Sequence, residues 1–166
     1  MNRLCKLFKP IVKGVMPLLL VAVFVFTSMM TTSTARAATE IVVTASNGTA
    51  SAIQSAANTV YGAGGGTVRI PAGTFNLGGS VTIRSNVKLI GAGTDSTVLR
   101  TSGTSQVIRV QGDNTRLSGF SLISTNYDGG NGVEVGNCVD FRIDHLHIEG
   151  YSSQAAVYIR GGDWFE

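Results

Sequence analysis

Cysteine, proline, histidine and charge are all scarce in this chain. Two cysteines in 166 residues exclude a disulfide framework, and two histidines exclude a histidine-rich metal tract. Charged residues make up only 14% of the sequence. Beyond the first 37 residues the only proline is Pro71, and long helical patterns are almost absent, which excludes a helix bundle. What remains abundant is Gly, Ser, Thr and Val, arranged as short β-branched runs punctuated by Gly, Asn and Ser. That pattern predicts an all-β chain.

The first 37 residues read differently from the rest. Arg3, Lys6, Lys9 and Lys13 precede an apolar stretch from Val15 to Met30, and Ala35-Arg36-Ala37-Ala38 offers a small-x-small cleavage pattern. This order predicts a signal peptide over 1–37, and a secreted protein, extracellular or periplasmic, with no membrane segment after cleavage. An uncleaved anchor is the other reading, but the apolar run is short for a membrane span. Cleavage removes five of 13 Lys and Arg and none of ten Asp and Glu, leaving 8 − 10 = −2. The basic isoelectric point thus belongs to the leader and implies no nucleic-acid partner. Cys5 leaves too, so Cys138 is a lone thiol, expected to be buried and inert rather than nucleophilic.

Repeats organise the remaining 129 residues (166 − 37). Val81-Thr82-Ile83, Ile108-Arg109-Val110, Val133-Glu134-Val135 and Val157-Tyr158-Ile159 alternate alike, and 81 to 108, 108 to 133 and 133 to 157 give spacings of 27, 25 and 24. A second register follows at Asn86–Leu89, Asn114–Leu117 and Asp140–Ile143, and a third at Phe120–Leu122 and Leu146–Ile148. No two-residue hairpin signal separates these strands, so equivalent strands of successive repeats must stack in parallel. Asn86, Asn114 and Asp140 precede the same strand in each repeat and suit a left-handed corner, where they would form a polar ladder. The expected fold is a right-handed parallel β-helix, with coils over 67–166. Asp163-Trp164-Phe165-Glu166 stops where the fourth coil's second strand should run, so the chain is expected to be the first part of a longer β-helix.

Residues 38–66 read as the N-terminal segment and capping helix. Thr49 or Asn47 can serve as N-cap, Ile53, Ala57, Val60 and Tyr61 share a helical face, and Gly62 ends the helix. A helix here would cover the open end of the solenoid. Gly64-Gly65-Gly66 is no phosphate loop, because helix, glycine loop and strand come in the wrong order. Asn47-Gly48-Thr49 also matches a glycosylation sequon.

Three segments carry a family resemblance: Ala52–Ala57; Gly64-Gly65-Gly66-Thr67-Val68-Arg69-Ile70-Pro71-Ala72-Gly73-Thr74-Phe75; and Ser85–Gly93. The chain resembles, over roughly residues 45–166, the N-terminal part of the pectate-lyase superfamily, whose capping helix leads into a GGGTV-x-[IL]-PAGT-[YF] strand and turn. The resemblance implies a parallel β-helix and an acidic polysaccharide as partner, with lyases, polygalacturonases, alginate-modifying enzymes and tailspikes as relatives. It also admits Ca²⁺ as a cofactor. The family's catalytic groups usually sit on later coils. Paired aspartates of the polygalacturonase kind, a matching Gly-His-Gly and Asp-Pro-His-Asp are all absent, so no catalytic residue carries over by motif.

Candidate residues therefore come from the strand pattern. Residues between two inward apolar ones point outward, giving one row of Thr82, Arg109, Glu134 and Tyr158 and another of Lys88, Arg116 and Arg142. Arg109 and Glu134 would be neighbours about 4.8 Å apart, which an ordinary cross-strand ion pair explains. Three stacked cations repel, so Asp113, Asp140 or Asp144 neutralises them, or the row receives a polyanion such as a uronate polymer. Lys88, Arg116 and Arg142 are the candidate substrate-binding residues. Arg142, Asp144 and His147 are the candidate catalytic ones: an acid–base group beside a cation that stabilises enolate-like charge. The alternative for the histidines is a polar solenoid corner, with His145 at the corner and His147 pointing out. Asp128 and Asn131 are too few for a Ca²⁺ site, and His-Leu-His alone is a poor zinc site. A non-enzymatic glycan-binding, adhesin or tailspike-like role is the alternative function.

Overall fold

The computed structural model describes residues 41–102, 107–126, 130–152 and 154–160; the leader expected over 1–37 lies outside them. In chain order these are β1 (Ile41–Thr44), α1 (Ala50–Gly62), β2 (Gly66–Arg69), β3 (Gly73–Asn76), β4 (Val81–Ile83) and β5 (Val87–Ile90). There follow β6 (Thr97–Thr101), β7 (Ile108–Val110), β8 (Thr115–Ser124), β9 (Val133–Val135), β10 (Phe141–Glu149) and β11 (Val157–Ile159). Every strand pair is parallel. The small sheet runs β4-β7-β9-β11, with Val81, Ile108, Val133 and Val157 in one column. The large sheet runs β1-β2-β5-β8-β6-β3, and β10 also pairs with β8. This is the parallel β-helix expected from the repeats.

The large sheet has two legs because β8 and β10 bend. Arg116–Ser118 pairs with β5 and Ser121–Ser124 with β6, and between them Gly119 has φ 74°. In β10 the bend falls at His145, φ 49°. The polar ladder forms as expected: Asn86, Asn114 and Asp140 have φ of 63°, 54° and 59°, and Asn114 Nδ2 donates to Asn86 Oδ1 at 2.9 Å. The corner amides keep backbone partners of their own, Asn86 N donating to Asp113 O at 2.9 Å and Asn114 N to Val139 O at 3.3 Å.

Inward side chains form one continuous core. Val68, Leu89 and Leu117 stack on the first leg, Leu99 and Leu122 on the second, and Val81, Ile108 and Val133 on the small sheet, all of them buried. Each such side chain contributes about 1.5–3 kcal/mol on burial. In the last described coil the same column opens: Val157 and Ile159 are 37% and 42% exposed.

The helix α1 closes the other end. Thr49 is the N-cap and Asn47 Oδ1 accepts from Thr49 N at 2.9 Å, so both expected capping residues act together and the sequon asparagine is occupied. Ala50, Ile53, Ala56, Ala57 and Val60 are its buried face. Tyr61, expected on that face, is instead exposed, with the Arg84 guanidinium 5.1 Å from its ring centroid. Gln54 reaches the edge of the small sheet: its Oε1 accepts from Thr82 N at 2.7 Å and its Nε2 donates to Thr82 O at 3.2 Å. One side-chain amide thus stands in for a missing strand on the edge of β4. After the helix, Gly66 must be glycine, because a Cβ there would lie 2.1 Å from Ile41 O of the neighbouring strand.

Candidate functional site

The outer face of the first leg carries two columns of side chains. Register places Thr67, Lys88, Arg116 and Arg142 in one, and Arg69, Ile90, Ser118 and Asp144 in the next. The three cations expected in a row are thus in consecutive rungs, and Asp144 stands diagonally between the last two.

Asp144 is the hub of this face. Arg116 grips it with two parallel bonds, Nε to Oδ2 at 3.1 Å and a terminal guanidinium nitrogen to Oδ1 at 2.9 Å. Arg142 Nε contacts Oδ2, the Ser118 hydroxyl donates to Oδ1, and His145 Nδ1 lies 3.1 Å from Oδ1. The Arg116 guanidinium first, then the Ser118 hydroxyl and His145, hold the Asp144 carboxyl well below the ordinary carboxylate range, against a smaller opposing effect of burial. A carboxylate held so firmly ionised is a poor proton acceptor. Asp144, expected as part of an acid–base pair, is here the group that lets two arginines stack. The other acids expected to neutralise the row have different placements: Asp113 Oδ1 accepts from Val139 N at 2.8 Å, and Asp140 sits in the corner ladder.

The arginines differ in what they offer outward. The Arg116 side chain is 38% exposed and that of Arg142 68%. Arg142 therefore keeps much of its guanidinium surface for an incoming anion while bonded to Asp144. His147 lies past the corner on the second leg, its Nε2 3.3 Å from Glu149 Oε2. Arg142 and Asp144 are thus brought together, and His147 pairs with a different acid.

A second polar surface lies on the small sheet, where Thr82, Arg109, Glu134 and Tyr158 form the expected outward row. Glu134 is only 5% exposed; its Oε1 meets Arg160 Nε at 3.2 Å, and its Oε2 has no partner among the described residues. Arg160 also lies over the Tyr158 ring at 5.8 Å. Nothing in the outward alternation signals this burial, since a β-strand period gives direction and not what covers it. Ser118 was missed for the same reason: a serine in an alternating strand carries no mark of the carboxylate one rung away.

Cys138, expected to be buried, is half-buried; its thiol is pushed up, first by burial and then by nearby Asp113, which suits an inert thiol. For Ca²⁺, Asn131 is buried with its Oδ1 accepting from Ala155 N at 3.2 Å, and Asp128 lies outside the described residues. Among the described residues no three His, Cys, Asp or Glu converge.

Comparison with known proteins places this geometry. No family model matches the chain. Over 56 residues, 30% of the chain, it is 45% identical to mannuronan C5-epimerase AlgE2 of Azotobacter vinelandii, and to AlgE5 of the same organism at the same identity. The match covers 6% of each relative's length. Among solved structures, the A-module of mannuronan C-5 epimerase AlgE4 superimposes with a TM-score of 0.54 at 22% identity over 69% of this chain, and that of AlgE6 with 0.51 at 24% over 61%. The chain spans 38% and 34% of those two modules. The structural likeness speaks for the β-helix fold, and the sequence match relates this segment to mannuronan C5-epimerases, a narrower likeness than the lyases and polygalacturonases named from sequence.

Proposed function

We propose that this chain is a secreted, pectate-lyase-like β-helix that docks an acidic polysaccharide, of the mannuronan or polygalacturonate kind, along its first leg. The observation that carries this is the column Lys88, Arg116 and Arg142, one cation per coil, set against the single Asp144 carboxylate. Adjacent rungs are about 4.8 Å apart. Such a strip suits a polymer with one carboxylate on every sugar. The sequence relatives named for mannuronan support the same substrate class.

Lyases and C5-epimerases acting on uronates both begin by removing the proton α to the carboxylate, and a cation must stabilise the resulting charge. Arg142 is the exposed guanidinium suited to that role. Asp144 is spent on the arginines and supplies little basicity, so the described residues support docking more directly than turnover.

Binding of the full chain to mannuronan, polygalacturonate and a neutral glucan, each at low and high salt, tests the reading. Only the acidic polymers should bind, more weakly as salt rises. Reversing two cations of the row, as in Lys88→Glu with Arg142→Glu, alters several pair energies of up to about 1 kcal/mol each and should weaken binding roughly tenfold. Equal affinity for the neutral glucan, or salt-independent binding, would refute it.

A further inference from the structure

The corner of the large sheet holds one residue that the fold does not require. Asp144 pairs with Ser118 and Leu146 with Phe120, so His145 stands in the rung of Gly119, and both have left-handed backbone. Glycine takes that conformation freely, whereas a histidine there carries a steric penalty. Its ring is 76% exposed, with Nδ1 3.1 Å from Asp144 Oδ1. An ionised Asp144 can only accept, so Nδ1 must carry the proton. Nε2 is then the nitrogen left over, and it has no partner among the described residues. In the neutral ring Nε2 is an acceptor, which repels a carboxylate; protonation turns it into a charged donor.

We propose that His145 is a pH-gated contact of the acidic-glycan surface, adding a fourth cation beside Lys88, Arg116 and Arg142 when its ring is protonated. This rests on the docking function proposed above and names a further residue of that surface. The charged and titratable groups around the ring are Asp144 with its partners Arg116 and Arg142, and, past the corner on the same strand, His147 with Glu149. On the neighbouring strand the corner offers only Ser118 and Gly119, which carry no charge. Imidazole is the side chain that ordinarily changes charge between about pH 5 and 8, while uronate carboxylates are ionised throughout that range.

The test is the dissociation constant of the full chain for mannuronan oligomers at about pH 5.5 and about pH 8, at one ionic strength. The chain should bind roughly two- to fivefold more tightly at the lower pH, the worth of one exposed ion pair. The ratio should fall to one in His145→Asn, which keeps a residue that tolerates the left-handed corner, and should persist in His147→Asn. A ratio that survives in His145→Asn, or one that disappears in His147→Asn instead, overturns the assignment. Absence of binding at both pH values overturns the acidic-glycan reading itself, and this inference with it.

Discussion

Replacing Gln54 with methionine should open the capped end of the solenoid, at a cost that follows from two hydrogen bonds. The Gln54 amide receives Thr82 N at 2.7 Å and donates to Thr82 O at 3.2 Å, so the edge of β4 is paired by a side chain instead of a strand. Methionine keeps the length and apolar stem but satisfies neither group. Each intramolecular hydrogen bond is worth about 0.5–1.5 kcal/mol net, which sets the loss at roughly 2 kcal/mol for the pair. For a domain of this size each kcal/mol moves the melting temperature by about 3–5 °C, so a fall of about 6–10 °C is expected. Urea unfolding followed by circular dichroism should show a lower midpoint at unchanged slope. Gln54→Glu supplies a sharper contrast. Its carboxylate still accepts from Thr82 N but faces the Thr82 carbonyl with a second acceptor, and protonation below about pH 4 restores a donor. Its deficit against the parent chain should therefore shrink on acidification, while that of Gln54→Met should not. A methionine variant within about 0.3 kcal/mol of the parent would show that water serves this edge equally well, and the strand-mimic account would fail.

Asp144→Asn removes the charge that lets Arg116 and Arg142 stack, and melting temperatures should be lower than the parent's at neutral pH. Because the folded carboxyl is depressed below its ordinary 3.8, its stabilisation is fully present above that value and is lost as pH falls toward the folded one. The gap between the two proteins should thus close below about pH 4; a gap that widens there contradicts the hub. Asn114→Ala deletes the ladder bond to Asn86 and puts a poorer residue at φ 54°, so a loss of roughly 1–2 kcal/mol in urea unfolding is expected, with Asn114→Gly recovering the part due to backbone strain. Glu134→Gln gives the Oε2 position, which has no hydrogen-bond partner among the described residues, a neutral amide while relieving a buried charge, and a stability change within about 1 kcal/mol should result; Arg160→Ala, which removes the ion pair to Oε1, should be the more destabilising of the two by the same measurement.

How far the fold could be read without coordinates depended on which strands show their alternation. β4, β7, β9 and β11 alternate apolar–polar–apolar, and their registers in the structure are those the repeat spacings imply. β6 was invisible because threonine fills two of its three inward positions: Thr97 and Thr101 are buried beside Leu99. Both hydroxyls have found partners, Thr97 with Pro71 O and Ala92 N, and Thr101 with the Tyr151 hydroxyl. A buried threonine with its hydroxyl satisfied is spelled the same way as an exposed one. β3 and β1 were likewise missed as strands, the first because one phenylalanine cannot establish a period, the second because it was absorbed into the cap.

The candidate site divides along the same line. Direction follows from backbone geometry that every strand shares, so the outward row of Lys88, Arg116 and Arg142, the corner position of His145 and the left-handed ladder of Asn86, Asn114 and Asp140 were all determined by the sequence alone. Which carboxylate answers which cation depends on lateral contacts across rungs 26 and 28 residues apart, Ser118 and Arg116 to Asp144, and on side-chain reach within them. Only the tertiary structure decided that Asp144 serves two arginines and a histidine, that His147 turns to Glu149, and that Glu134 is buried on a face where alternation points it outward. A strand's period assigns a side; distance and solvent are properties of the assembled coils.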